Sequence, residues 1–315
     1  MRRAPAGARS GTGHGTGTST RSSTTDVDVV IVGYRSRELL GRCLDALTAA
    51  APGLTISRTV ADNHSTDGTL EAVAARDDGS RAFDMGWNSG FARANNRAIA
   101  LGDGRYVLVL NPDTVVRPGA LTELVRFADA EPTAGVVAPR LLNADGTAQR
   151  TARAFPTPAA AVFGRRSPLT RWFPSNRFSR AFLLEGEHAA DAPFAVDWVS
   201  GAAMLVPRAV IAEVGGFDED YFLFWEDADW CRRIRSAGYG VWCVPTAVVV
   251  HDEGGSRGHG WSARSIVRFH RGAYLYWRKH HARHPLNPAR WAGAVVLTAR
   301  AVTLILFHQF ARRSL

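Results

Sequence analysis

Cysteine is scarce in this chain of 315 residues: Cys43, Cys231 and Cys243 are the only three. Their spacing matches no paired framework, which excludes a disulfide-built domain and a cysteine zinc site and fits a reducing compartment. No apolar run follows the first arginines, so no secretory signal is expected. Acidic residues disappear after Glu253, whereas eleven Lys and Arg follow it and four arginines precede Asp26. Taking those fifteen from the net charge of +9 leaves the segment from Asp26 to Glu253 at −6. The basic balance thus belongs to two flanks of an acidic core. A nucleic-acid-binding domain carries positive charge on its folded body, so no nucleic-acid partner is expected. A basic flank suits an anionic membrane surface instead. Also missing are a P-loop, a G-x-G-x-x-G after the first apolar run, and any internal repeat. A diphosphate bound here must be neutralised by other means.

What is present begins with a hydrophobic content of 46%, enough for a full core. Residues 1–25 are Gly, Ser, Thr, Ala and Arg with little to bury, and read as a disordered tail. Val27 to Val32 is a β-branched run ended by Gly33, as expected of a buried parallel strand. Arg37 to Ala50 has helical periodicity through Leu39, Leu40, Cys43, Leu44 and Leu47, and Pro52-Gly53 stops it. Ile56 to Ala61 reads as a second strand, followed by Asp62-Asn63-His64-Ser65-Thr66-Asp67-Gly68-Thr69 opening a helix. This strand–helix alternation predicts an α/β fold. Ligands in such folds lie at the C-terminal strand ends, here Tyr34 to Ser36 and Asp62 to Asp67.

Asn88 to Asn96 reads as a turn opening a helix, and Tyr106 to Leu110 as a strand ending in Asn111-Pro112-Asp113-Thr114. Pro118 to Ala128 is expected to be helical with Pro in the first turn, and Val136 to Pro139 to be a strand. Residues 144–195 are irregular and too long for an ordinary loop, so a functional excursion or mobile flap is expected. Asp197 to Val206 resumes the core. Val241 to Pro245 and Ala247 to Val250 read as two short strands, the second ending at His251.

The densest chemistry is Trp225-Glu226-Asp227-Ala228-Asp229-Trp230. In a helix starting near Glu226, that acid and Asp229 share a face while Asp227 points elsewhere. Acids crowded against aromatic surface repel one another and lose solvent, which raises at least one pKa and makes a general base. The competing reading is a helix start whose acids favour the dipole. Asp62, at a strand end, suits either a hydrogen bond from a nucleobase or ribose, or a local turn. Asp113 suits either a hard divalent ion or a turn cap. His251 is either structural or a second ligand complementing Asp113.

Together these pieces resemble the inverting GT-A glycosyltransferases of family 2, most closely the rhamnosyltransferase-like branch. The matched pieces are Tyr34-Arg35-Ser36, Asp62 to Thr69, Asn88-Ser89-Gly90-Phe91-Ala92 with Asn95-Asn96, and Leu110 to Thr114. Val196 to Gly201, Gly215 to Glu219, Glu226 to Asp229, and His251 with Ser256 complete the order. Gly33 and Arg35 depart from the usual Thr and Asn of the first-strand motif, and Asn111 stands where many relatives have Asp.

The resemblance implies a mixed α/β sheet flanked by helices and a nucleotide-sugar donor. It implies donor contacts from Tyr34, Ser36, Asp62, Asn63, Asp67, Asn88, Gly90 and Asn111. Asp113 and His251 would hold Mg²⁺ or Mn²⁺, Asp227 would be the base, and Glu226 would orient the acceptor. Asp229 would fix the helix. L-rhamnose from dTDP-rhamnose is the donor expected from the branch, and a lipid-linked saccharide or polysaccharide is the acceptor. The setting implied is cell-envelope synthesis at the inner face of the plasma membrane. A nucleotide-sugar-binding or membrane scaffold protein without catalysis is the alternative.

The expected organisation is a tail at 1–25, a catalytic domain at 26–256 and a basic helical extension at 257–315. In that extension Ile266, Phe269, Ala273 and Trp277 share a helical face, with Arg264, Arg268 and Arg271 nearer the other. The segment is either an interfacial helix or one packed on the domain. Trp291 to Phe307 is apolar apart from Arg300 and short of the ~20 residues of a bilayer span, so a helix lying on the inner leaflet is expected.

Overall fold

The computed structural model describes residues 25–149, 152–155, 191–252 and 262–313. The tail apart from Thr25, most of the 144–195 excursion and Ser256 lie outside the described residues.

The first half of the chain builds a parallel sheet. β1 (Val27–Gly33), β2 (Ile56–Asp62), β3 (Ser80–Asp84) and β4 (Tyr106–Leu110) align in the order β3-β2-β1-β4, all parallel. They are linked by α1 (Arg37–Ala50), α2 (Thr69–Ala74) and α3 (Phe91–Ile99). Alternation along the strands sorts side chains to two faces. Val29, Ile31, Leu108 and Leu110 face α1 and α4 (Ala120–Ala130). Val30, Val32, Val107 and Val109 join Ala92 and Ala98 of α3 and Trp230, Cys231 and Ile234 on the other side. Both faces are covered, which is why these strands read as unbroken apolar runs.

The second half makes the sheet mixed. β8 (Ala203–Pro207) runs antiparallel to β4 and to β6 (Ala134–Leu142). β9 (Gly240–His251) runs parallel to β6, and both β5 (Thr114–Val116) and β7 (Phe194–Val196) pair antiparallel to it. The two short strands expected at 241–250 are therefore one strand. Its register against β6 jumps between Pro139 and Arg140, where Pro245 interrupts the ladder because it has no N–H. α4 begins two residues later than expected. Gly119, at φ 74°, forms its left-handed entry, and the Gly119 N–H donates to Ala49 O at 3.0 Å.

Among the described residues of the C-terminal part the helices are α5 (Arg208–Val214), α6 (Glu226–Ser236), α7 (Ala263–His280) and α8 (Pro288–Arg313). α7 packs on the domain, burying Ile266, His270, Gly272, Ala273, Leu275 and Tyr276. The anticipated face is thus rotated, with Phe269 and Trp277 only partly buried. α8 runs back along α7. The Trp277 indole donates to Ala289 O at 2.9 Å, and a Cβ on Gly293 would stand 2.6 Å from that indole nitrogen. Its 26 residues exceed the expected apolar stretch because the helix continues beyond Trp291 and Phe307 at both ends. Over Pro288–Gln309 the mean hydropathy reaches 1.6, long and apolar enough to cross a membrane by length and composition.

Candidate active site

Strand register gathers the singled-out residues. Gly33 lies opposite Asp62, and Ile31 opposite Leu110, so the turns after β1, β2 and β4 share one edge. β8 starts there too: Ala203 pairs with Leu110, and the Asn111 N–H donates to Ala202 O at 2.9 Å.

The turn after β2 is held by its own side chains. Asp62 is fully buried; one carboxylate oxygen accepts from Ser65 N at 2.7 Å and the other from Ser65 Oγ at 2.6 Å. Burial raises its pKa, against those hydrogen bonds. Asn63 ties this turn to the next. Its Oδ1 accepts from Ser89 N and Oγ at 3.0 and 2.9 Å, and its Nδ2 donates to Gly90 O at 3.1 Å. Asp67 accepts from Thr69 and from Arg37 N at 3.2 Å. Burial pushes its carboxyl up, but these donors outweigh that and lower its pKa. Asp62, Asn63 and Asp67 thus first position backbone. Asn88 Oδ1 accepts from Gly90 N at 3.2 Å, Asn111 is half-buried, and Tyr34 is exposed. Ser36 is buried, and its Oγ has no hydrogen-bond partner among the described residues.

Gly90 is required where it stands. Its φ is 87°, and a Cβ there would lie 2.4 Å from Phe222 O, which accepts from Phe91 N at 2.7 Å. Asn96 similarly clasps the Gly215–Phe217 turn, accepting from Phe217 N at 2.9 Å and donating to Phe217 O at 2.8 Å.

Asp113 and His251, 138 positions apart by their numbers, meet because β5 pairs with β9 with Thr114 opposite His251. His251 Nε2 stands 3.3 Å from Asp113 Oδ1, and both residues are buried. Gln149 orients the ring. Its Nε2 donates to His251 O at 2.7 Å and to Asn143 Oδ1 at 2.8 Å, which turns its Oε1 toward His251 Nδ1 at 2.9 Å. In the neutral ring that assignment puts the proton on Nδ1 and leaves the Nε2 lone pair facing Asp113. One carboxylate oxygen and one imidazole nitrogen form a donor set that would fit a Mg²⁺ or Mn²⁺ ion. No third His, Cys, Asp or Glu completes a cluster among the described residues. The sequence reading did not single out Gln149, which sits in the irregular region. Its only signal there was a polar residue beside Asn143-Ala144-Asp145-Gly146, a turn composition.

The acids lie at the start of α6. Phe224 and Trp225 precede them with φ of 74° and 76°, left-handed conformations that cost roughly 1–3 kcal/mol each in residues with side chains. Packing holds this strain. Phe269 lies 5.8 Å from the Phe224 ring and 5.5 Å from that of Trp225, and Tyr276 lies 5.4 Å from Trp225. Asp227 does not cap the helix start; Trp225 occupies that position without a side-chain bond. Asp227 instead accepts from Gly201 N at 3.1 Å and Ala228 N at 2.8 Å, which joins α6 to the start of β8. Burial pushes its carboxyl up, while those N–H groups and the charge of Arg153 pull it back. The raised pKa therefore comes from lost solvent more than from the neighbouring acids. Glu226 is buried beside it, 5% exposed.

Asp229 has a different place. It accepts from Tyr221 OH at 3.2 Å, Arg233 Nε at 2.9 Å and His280 Nε2 at 2.7 Å, so it locks α7 onto α6. Burial alone would raise its pKa, but His280 and Arg233 hold it low. The three cysteines are free and buried, with thiols pushed up to about 12, so none is a nucleophile.

The glycosyl transferase family 2 model matches residues 28–195. The N-acetylglucosaminyl-diphospho-decaprenol L-rhamnosyltransferase of Mycobacterium tuberculosis strain H37Rv is 32% identical over 300 residues, covering 91% of this chain and 96% of that one. Rhamnosyltransferase WbbL of Escherichia coli K12 is 28% identical, covering 51% and 60%. Among solved structures, mannosyltransferase PcManGT of Pyrobaculum calidifontis, in complex with GDP-Man and Mn²⁺, has a TM-score of 0.55 at 19% identity, covering 91% and 80%. GalNAc-T7 with UDP, GalNAc and Mn²⁺ has a TM-score of 0.58 at 15% identity, covering 84% of this chain and 49% of that one. A mixed sheet of this topology, with acids gathered at its strand-end edge and a relative matched across nearly both lengths, places the chain in glycosyl transferase family 2, with the GT-A fold.

Proposed function

We propose that this glycosyltransferase moves a hexosyl unit, L-rhamnose from a dTDP donor, onto a hydroxyl of a polyprenyl-diphosphate-linked saccharide, with inversion. The observation carrying this reading is the shared edge: the raised carboxylate of Asp227 and the Asp113–His251 pair both lie at the ends of the sheet strands. The sugar and acceptor follow from the relative matched over 96% of its length.

In this reading Asp227 accepts the proton of the acceptor hydroxyl, and the pKa raised by burial makes it a stronger base than a solvated aspartate. Gly201 N holds one of its oxygens, leaving lone pairs on the carboxylate for the acceptor. Glu226 orients the acceptor. The acceptor oxygen forms its bond to the anomeric carbon as the bond to the diphosphate breaks on the opposite face. Asp113 Oδ1 and His251 Nε2 would hold a Mg²⁺ or Mn²⁺ ion, which supplies charge to stabilise the leaving diphosphate. Asp62, the buried Ser36 hydroxyl, Tyr34, Asn88 and Asn111 line the donor side. α8 makes the membrane contact at the cytoplasmic face, where a lipid-linked acceptor is presented in cell-envelope synthesis.

The test is a panel of UDP-, GDP- and dTDP-sugars with Mg²⁺ or Mn²⁺, following donor hydrolysis and transfer. The anomeric configuration of the product is read by NMR. Metal-dependent turnover of one donor, abolished in Asp227→Asn while donor binding persists, is expected. Donor binding without turnover in the wild type would favour the scaffold alternative.

A further inference from the structure

Beside this site lies a row of cations with no acidic partner among the described residues. Arg264, Arg268 and Arg271 recur at i, i+4 and i+7 along one side of α7. None has a carboxylate within ion-pair distance among the described residues, and the chain holds no acid after Glu253. Cations nearby are matched: Lys279 pairs with Asp218, and Arg233 with Asp229. The Arg268 guanidinium lies over the Phe222 ring, 3.9 Å from its centroid. Burial lowers the pKa of Arg268, the charge of Arg264 lowers it further, and Tyr34 opposes. An opening of about 300 Å³ lies here, lined by Ala263, Arg264, Val267 and Arg268.

The row borders the site. Phe222, beneath Arg268, binds the Gly90–Phe91 turn through its carbonyl, and Phe269 packs on the two residues preceding Glu226. It also borders apolar surface. α8 returns antiparallel, with Ala289 and Gly293 at Trp277 and Arg300 at His270. The last turns of α8 therefore reach the Arg264–Arg268 end of α7. There Val302, Leu306 and Phe307 are 49%, 48% and 68% exposed.

We propose that Arg264, Arg268 and Arg271 form a subsite for the diphosphate of a polyprenyl-diphosphate-linked acceptor, whose hydrocarbon chain lies along the exposed face of α8. This rests on the acceptor class proposed above. Guanidinium groups suit a diphosphate because each donates two parallel hydrogen bonds to paired oxygens. The donor carries the same chemical group, so the experiment must separate the two sources.

Binding of the full chain is measured to phosphatidylcholine vesicles containing undecaprenyl diphosphate, to matched vesicles containing phosphatidylglycerol, and to free dTDP. Arg264→Gln/Arg268→Gln is expected to lose about tenfold or more in affinity for the diphosphate vesicles, with dTDP affinity kept. Unchanged binding to the diphosphate vesicles overturns the subsite. A loss confined to dTDP assigns the arginines to the donor, and an equal loss on phosphatidylglycerol vesicles makes them a general anionic-surface contact; both overturn it. If the double variant fails to fold, the exposed Arg271→Gln carries the test, with Arg42→Gln as the remote control. Arginine-dependent diphosphate binding without sugar transfer leaves the subsite standing and removes the transferase reading. Transfer with an unchanged acceptor KM in the double variant does the reverse.

Discussion

Replacing Gln149 by Leu isolates the tautomer that the structure imposes on His251. The amide bridges His251 from both sides, accepting from Nδ1 at 2.9 Å and donating to the backbone oxygen at 2.7 Å. Leucine leaves Nδ1–H and that carbonyl buried without these partners, and the ring is no longer held with Nε2 toward Asp113. Loss of such an outer partner typically weakens metal affinity by about 10–100-fold, which is about 1.4–2.7 kcal/mol. The unsatisfied groups cost about 1–3 kcal/mol of stability. The assay is Mn²⁺ titration followed by the electron spin resonance of free Mn²⁺, in the presence of saturating nucleoside diphosphate. Gln149→Glu separates orientation from packing: it keeps an acceptor for Nδ1–H but loses the donors to His251 O and Asn143, so it should recover most of the affinity while remaining destabilised. In His251→Ala, adding Gln149→Leu should weaken Mn²⁺ no further. Wild-type affinity in folded Gln149→Leu, or losses that simply add in the double variant, would refute the reasoning.

Three other perturbations follow from burial and backbone geometry. Asp227 has its pKa raised in the folded state, so its contribution favours folding at low pH. The penalty grows as pH rises from the unfolded value of about 3.9 and is full above the folded value. Asp227→Asn should therefore stop transfer yet raise Tm at neutral pH, with the gain vanishing toward pH 4, as read by scanning calorimetry. Asp229 has the opposite sign: its stabilisation is present above the ordinary carboxylate range and lost as pH falls through its own lower value. Asp229→Ala breaks a buried pair with Arg233 and His280 and should cost about 3–5 kcal/mol, with early hydrogen exchange in α7. Gly90→Ala puts a methyl into Phe222 O at a φ of 87° and should cost about 1–3 kcal/mol from strain alone. Denaturant melts measure that loss, and donor affinity should fall with it because the Asn88–Gly90 turn shifts.

Much of the parallel half was legible because local pattern and burial agree there. Val27 to Gly33 and Tyr106 to Leu110 are apolar on both faces, and both faces are covered. α1 buries Leu40, Cys43, Leu44 and Leu47, as its periodicity indicates. The placement of Asp62 and Asp113 at strand ends followed from the same reading. β5 and β7, three residues each, carry too little pattern to announce themselves; they exist because β9 offers them an edge. The acids of α6 could be seen in sequence, but their separate roles could not. Asp227 meets Gly201 through the β4–β8 pairing, whereas Asp229 meets His280 across 51 positions.

The α/β order, the apolar strands, the cluster of acids and the basic flank can all be read along the chain, because each is a property of residues near one another in sequence. Tertiary structure alone decided that His251 faces Asp113 with Gln149 behind it, that α7 packs on the strained Phe224–Trp225 turn, and that Arg268 lies beside the site. Those pairings join residues far apart in the chain, and the geometry that brings them together is set by strand register and helix packing, which composition and periodicity do not encode.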